Sequence, residues 1–134
     1  SNMIDLQTGN IMIYPDLILH SNLTFLEFKK TSFYNNQNPN KIIYLVEPQI
    51  IDGKKYIVSL FFRDGKIYSF SLLNIDFDFT VETEKERKQI HDKILLSYQI
   101  VSGKKYSWGM IESEYDSRSN ISSINIFYHN YLQE

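Results

Sequence analysis

The sequence predicts an α+β fold: an antiparallel sheet of five to six strands with two helices packed on it, in the order β-α-β-β-β-α-β-β. Two segments combine helix-start signals with apolar residues at helical spacing, and the other apolar segments are short and bounded by turn residues. The chain has 134 residues, enough for one domain and too few for two ordinary ones. Residues 1–134 are therefore predicted to form one domain, in which Ser1 and Asn2 ahead of Met3 are typical of an affinity-tag remnant.

The composition excludes several classes of protein. Hydrophobic residues make up 43% of the chain and aromatic residues 15%, which excludes a disordered chain. The absence of cysteine excludes disulfides and thiolate metal sites. The net charge of −2 gives no overall basic footprint, so no direct binding of nucleic acid is expected. No signal peptide or membrane-spanning apolar run is recognisable, so we expect a cytoplasmic protein without membrane contact.

The first two elements are predicted to be a short strand at residues 11–14 and a short helix at residues 23–31. The strand segment is apolar and stops at a proline. Thr24 followed three residues later by Glu27 matches a capping box, although residues 21–22 could supply the helix cap instead.

Three strands are then predicted in series, at residues 41–51, 55–63 and 66–77. Pro48 indicates a bulge or a sheet edge in the first of them, because proline has no N–H to donate. Asp64 and Gly65 form the strongest hairpin signal in the chain. The apolar parity of the third strand changes midway, which predicts a bulge or bend near Leu72 and Leu73.

The longest helix is predicted at residues 80–100. Its apolar side chains repeat at helical spacing: Ile90, Ile94, Leu95, Tyr98 and Val101. Glu84 and Lys88 are placed to form an i,i+4 ion pair, and Gly103 follows as a helix stop. Two last strands are predicted at residues 106–114 and 121–128. Gly109 in the first of these indicates a bulge or a close approach of another backbone segment.

No catalytic or metal-binding signature is recognisable, so neither an enzyme nor a cofactor is expected. The three histidines, His20, His91 and His129, lie in different segments without ligand spacing, and His91 is expected to be a partly exposed helix residue. Residues 74–78 resemble the start of a calcium loop, but Phe79 and Lys85 stand where that loop needs glycine and glutamate. Nucleophile elbows and phosphate-binding glycine loops are absent.

Two patterns are compatible with a binding function. A Gly-Lys-x-Tyr motif recurs at residues 53–56, 65–68 and 103–106, where it could bind RNA through its lysines and tyrosines or simply start strands after glycine turns. The predicted strand at 55–63 is apolar on both faces. Either both faces are buried, or two helices leave one face uncovered as a partner site. A module that binds RNA or a small ligand, with Lys54, Lys55, Lys104 and Lys105 contacting RNA phosphates, is therefore the alternative to the function considered next.

Two stretches, DGKKYIVSLFF at residues 52–62 and KYSWGMIESEYD at residues 105–116, resemble small bacterial proteins encoded beside polymorphic toxins. These are the immunity proteins of contact-dependent growth inhibition and related systems. The resemblance covers most of residues 10–128 in the order of elements.

The resemblance implies stoichiometric inhibition of a toxin's C-terminal domain in the cytosol. Toxins of this kind are often nucleases with basic clefts, so an acidic patch on the immunity protein would attract and hold them. The acidic candidates form two groups: Asp76, Asp78, Glu82, Glu84 and Glu86 around the start of the main helix, and Glu112, Glu114 and Asp116 on a late strand. Compensation of the helix dipole explains the first group equally, and a solvated strand end explains the second. The sequence predicts no particular oligomeric state.

Overall fold

The computed structural model describes residues 2–77 and 83–128, which contain nine strands and two helices. The strands are β1 (Ile11–Ile13), β2 (Leu17–Leu19), β3 (Ile43–Tyr44), β4 (Gln49–Ile51), β5 (Lys54–Arg63), β6 (Lys66–Asn74), β7 (Lys105–Tyr106), β8 (Gly109–Asp116) and β9 (Ile121–Tyr128). The helices are α1 (Phe25–Phe28), which follows β2, and α2 (Glu84–Ser97), which follows β6. No helix in these residues is both long enough and apolar enough to cross a membrane.

Seven of the strands form one antiparallel sheet in the order β3-β5-β6-β9-β8-β7, with β4 also paired to β5. Strands β1 and β2 form a separate hairpin. The α+β class and the antiparallel sheet with two helices are thus confirmed. The predicted strand count and order are wrong, because β2 was not recognised and two predicted strands are each divided in two.

The two divisions have local causes. Residues 45–48 separate β3 from β4, and Pro48 among them cannot donate a hydrogen bond to β5. Between β7 and β8 the indole of Trp108 turns inward and donates a hydrogen bond to the carbonyl of Leu6, at 2.9 Å. Gly109 then passes so close to the carbonyl of Phe127 that a Cβ would overlap it, which confirms the predicted close approach.

The register of the β5–β6 hairpin breaks at a different place from the one predicted. Phe62 pairs with Ile67 and Phe61 pairs with Ser69, so Tyr68 is an extra residue and forms the bulge. The expected bulge near residues 72–73 is wrong. The extra residue allows Ile67 and Phe70, three positions apart, to lie buried on the same face.

All described elements outside the sheet pack on one of its faces, which we call the covered face. Phe28 of α1 lies 5.9 Å from Phe62, measured between ring centroids. The hydroxyl of Tyr128 on β9 donates to the carbonyl of Gly9 just before β1, and α2 packs over β8 and β9. The covered face carries the main core, which includes Tyr56, Val58, Leu60, Phe70, Leu72, Ile124 and Ile126.

Both helices are shorter than predicted. Thr24 caps α1 in the predicted capping box with Glu27, but the helix has only four residues. Helix α2 begins at Glu84, and residues 80–82 of the predicted helix lie outside the described part of the chain. The predicted ion pair of Glu84 with Lys88 is wrong: Glu84 pairs with Arg87, and Lys88 pairs with Asp92.

Candidate functional site

The second face of the large sheet has no described element packed on it, and we call it the open face. Strand register places its side chains in rows that run across the strands. The central row consists of Tyr44, Ser59, Ser71, Asn125 and Glu112, which are direct neighbours on β3, β5, β6, β9 and β8. Small polar side chains therefore occupy the middle of the open face, between an aromatic residue and an acid.

A cluster of three aromatic rings lies in the row nearer the β5–β6 turn. The rings of Phe61 and Tyr68 are 5.7 Å apart, and those of Tyr68 and Phe127 are 6.5 Å apart, both edge to face. The guanidinium of Arg63 lies 3.9 Å from the centre of the Tyr68 ring. The bulge at Tyr68 brings this ring to the open face, between its two neighbours.

Polar side chains on β6 and β9 hydrogen-bond to one another across the open face. The hydroxyls of Ser71 and Ser123 both donate to Oδ1 of Asn125, at 2.7 and 2.9 Å. Nδ2 of Asn125 donates to a carboxylate oxygen of Glu114, at 2.8 Å. This network fixes the orientation of the Asn125 amide and holds Glu114 above the sheet.

Glu112 and Glu114, which we call the carboxylate pair, project from β8 on the open face. Partial burial raises the pKa of Glu112, and repulsion and hydrogen bonding from Glu114 raise it further. No lysine or arginine among residues 2–77 and 83–128 lies within ion-pair distance of either carboxylate. The pair is therefore a site of negative charge without a cationic partner in the described part of the chain.

A shallow cavity of about 290 Å³ opens between β5 and β6 on the same face. Ser59, Ser69 and Ser71 form its floor, and the side chains of Ile42 and Phe61 form part of its walls. The cavity exists because three neighbouring positions carry small side chains where a strand usually has β-branched or aromatic ones. We call it the serine cavity.

Exposed hydrophobic side chains border the open face along β3, β4 and β5. We call them the apolar edge: Ile42, Tyr44, Val46, Ile50 and Ile57. Four of them are more than half exposed, and Ile57 is 38% exposed. Several exposed hydrophobic residues along one edge are more typical of a contact surface than single hydrophobic residues scattered over a surface.

The second group of predicted acidic residues lies on the open face. Glu112 and Glu114 form the carboxylate pair, and Asp116 is the last residue of β8. The carboxylate of Asp116 accepts the backbone N–H of Arg118 at 2.9 Å, which lowers the pKa of Asp116 and closes the β8–β9 turn. Asp116 therefore has a structural role in the turn, whereas Asn125 is the one hydrogen-bond partner of the carboxylate pair outside itself among the described residues.

The first group does not form one surface in the described part of the chain. Asp76 accepts hydrogen bonds from the backbone of Lys55 and from the amide of Asn74, which anchors the end of β6. Asp78 and Glu82 lie outside the described residues.

Glu84 and Glu86, the other two members of that group, differ in exposure. Glu84 is 8% exposed, and its carboxylate contacts Arg87 at 3.1 Å and accepts the N–H of Ser122 at 3.0 Å. Glu84 therefore joins α2 to β9 and presents little surface to a partner. Glu86 is exposed on α2.

His91 is fully buried, so its expected partial exposure is wrong. Its Nε2 accepts the backbone N–H of Asn74 at 3.0 Å, which places the imidazole proton on Nδ1. Burial lowers the pKa of His91 to about 4, and Arg87 acts in the same direction. Sequence reasoning missed this residue, although Glu84, Arg87, His91 and Ile94 recur at helical spacing on the buried side of α2.

The three tyrosines of the Gly-Lys-x-Tyr motifs do not form one stacking surface. Tyr56 is fully buried, and Tyr106 stacks on Trp108 with ring centroids 5.1 Å apart. Tyr68 lies beneath Arg63. The glycines of all three motifs have positive φ, which accounts for the recurrence as turn geometry.

Comparisons with known proteins give no family assignment. No protein-family model, no curated protein and no solved structure matches this chain. Within residues 2–77 and 83–128, no group of three His, Asp or Glu side chains is placed to hold a metal ion. The function must therefore be argued from the open face itself.

Proposed function

We propose that this chain is a bacterial immunity protein that binds a cognate toxin domain in the cytosol and neutralises it by stoichiometric inhibition, without catalysis. The observation that carries the proposal is the open face, which no described element covers. This face presents the exposed apolar edge together with the carboxylate pair, which has no described ion-pair partner. Exposed apolar surface beside polar and charged groups is typical of protein–protein interfaces. The resemblance of residues 52–62 and 105–116 to immunity proteins supplies the class of partner.

The size of the open face supports a protein partner. Its four central strands have 8 to 10 residues each. With strands about 4.8 Å apart and about 3.4 Å per residue, they present roughly 500 Å² in projection. A stable interface buries about 800 Å² on each partner. The apolar edge beside β5 enlarges the face further toward that size.

The charge on this face supports a basic partner. The carboxylate pair has no described ion-pair partner, so a neutral surface laid on it would desolvate negative charge without compensation. A cationic surface, such as the substrate cleft of a nuclease, would supply the missing positive charge and speed association.

RNA binding is the second candidate function, and the aromatic cluster supports it less strongly than the rest of the open face supports a protein partner. Arg63 occupies one side of the Tyr68 ring, and the edges of Phe61 and Phe127 pack against the same ring. Bases stack on free ring faces, so this cluster would have to rearrange before RNA could use it. The serine cavity is at the lower end of the volume range of small-ligand sites and is shallow.

Co-expression with the product of the neighbouring reading frame, where the proposal predicts a toxin domain, tests the proposal. The wild-type chain should restore growth, and Tyr44→Lys combined with Ile57→Lys should abolish protection, because two positive charges would be placed at the apolar edge. Leu96→Lys is the matched control, since Leu96 is 75% exposed but lies on α2. This control variant should protect as well as the wild type.

Charge reversal provides a second test of the interface in the same co-expression assay. Glu112→Lys with Glu114→Lys should weaken protection, whereas Glu86→Lys on α2 should not. Circular dichroism confirms that each variant is folded. Failure of the wild-type chain to protect would reject the function, and full protection by both open-face variants would reject the interface. Salt-sensitive binding of single-stranded RNA by the wild type, without toxin binding, would instead favour the alternative.

A further inference from the structure

The serine cavity and the carboxylate pair lie at a defined separation on the open face. Ser71 borders the cavity, its cross-strand neighbour is Asn125, and the next neighbour is Glu112. Two strand spacings separate Ser71 from Glu112, which is about 10 Å. A single element of a partner can therefore contact both features.

The shape of the serine cavity indicates one side chain as its occupant. Its volume is about 290 Å³, whereas benzene fills an engineered protein cavity of about 150 Å³. Ile42 and Phe61 offer apolar surface to such a side chain, and the three serines are small enough to leave room for it. Because the cavity opens onto a flat face, a side chain carried by a larger surface would be enclosed better than a free small molecule.

The chemistry of the carboxylate pair indicates a guanidinium. Asn125 occupies one oxygen of Glu114, which leaves that carboxylate a second oxygen beside the half-buried carboxylate of Glu112. Arginine has five donors in a planar fork and can bridge two carboxylates, whereas lysine offers a compact point charge. Arginine also loses less hydration when it is covered at an interface.

We infer that the open face recognises a basic protein segment that places one apolar side chain in the serine cavity and one arginine on the carboxylate pair, about 10 Å away. This inference rests on the proposed function and specifies which chemical groups of the toxin domain the chain would contact. The apolar edge then surrounds the contact on the side of β3 and β4.

Titration calorimetry tests this two-point contact, with the purified and catalytically inactivated toxin domain that the proposed function predicts in the neighbouring reading frame. Ser59→Phe fills the cavity, and Glu112→Gln with Glu114→Gln removes the charge but keeps the size of both side chains. Each change should raise Kd about 10-fold or more, as hot-spot contacts do. Gln89→Phe and Glu86→Gln, both exposed on α2, are matched controls and should stay within about twofold of the wild type.

Salt dependence separates the two contacts. The glutamine double variant should show a flatter dependence of Kd on salt than the wild type, while Ser59→Phe should keep the wild-type dependence. Wild-type binding with both variants within twofold of it would overturn the inference and leave the proposed function standing. Absence of wild-type binding would overturn both.

Discussion

Acidification from pH 7 to pH 5 should destabilise the wild-type protein more than a variant with His91→Gln. His91 is fully buried, and its Nε2 accepts the backbone N–H of Asn74. Protonation would place a hydrogen on that nitrogen and break this bond. It would also bury a positive charge near Arg87, although Asp92 partly offsets this repulsion.

The sign and the size of the effect follow from the pKa of His91, which is about 4 in the folded protein against 6.5 for an unperturbed histidine. Between these values the unfolded chain binds more protons than the folded one. The contribution of His91 to stability is therefore complete above pH 6.5 and is lost as pH falls toward 4. Linkage gives a loss of about 2 kcal/mol in the free energy of unfolding between pH 7 and pH 5.

Urea unfolding of both proteins at pH 7 and pH 5 measures this difference, since carboxylate contributions are common to both and cancel. His20→Gln is the matched control for the loss of a histidine, because the Nδ1 of His20 accepts the backbone N–H of Asn22 in an exposed turn. An NMR titration of the His91 ring gives an independent value. Equal losses in the wild type and His91→Gln, or a ring that titrates near pH 6.5, would refute the reasoning.

Two further substitutions test contacts that hold the sheet together. Gly109→Ala should lower the free energy of unfolding by roughly 3 kcal/mol, because its Cβ would overlap the carbonyl oxygen of Phe127. Gly53→Ala has no atom near its Cβ and should lower it by about 1 kcal/mol. Equal losses in denaturant unfolding would contradict the steric argument. Glu84→Ala should cost about 3–5 kcal/mol at neutral pH, because it removes a buried carboxylate that contacts the guanidinium of Arg87 and accepts the N–H of Ser122. A measured loss below about 1 kcal/mol would show that this ion pair is not important for stability.

Features fixed by a few neighbouring residues could be predicted from the sequence. Thr24 and Glu27 form the capping box within one helical turn. Asp64 and Gly65 both have positive φ, as a two-residue hairpin turn requires. These signals depend on backbone geometry over four residues, so no knowledge of the rest of the fold is needed.

The buried side of α2 could not be predicted by the same reasoning. Sequence patterns assign polar helix residues to solvent, yet Glu84, Arg87 and His91 all face the sheet. Their burial is possible because Asn74 on β6 and Ser122 on β9 supply hydrogen-bond partners from distant parts of the chain. Strand order determines those partners, and the sequence does not reveal that order.

The candidate site was predictable only in part for a related reason. Glu112 and Glu114 share a face of one strand by simple alternation, and this much could be read from the sequence. Their neighbours Asn125 and Ser71 come from β9 and β6, which are adjacent only because β9 inserts between β6 and β8. The choice between two buried faces and one open face likewise depends on where the helices pack.

The parts of the open face differ in the free energy that it costs to cover them with a partner. Ser71, Ser123 and Asn125 already hydrogen-bond to one another, so covering them leaves few polar groups unsatisfied. Covering the apolar edge is favourable with any apolar partner. Covering the carboxylate pair with a partner that brings no positive charge is unfavourable, because an unpaired buried charge at an interface typically costs about 2–5 kcal/mol. The apolar edge would therefore provide much of the affinity, while Glu112 and Glu114 would select partners that bring a positive charge to this position.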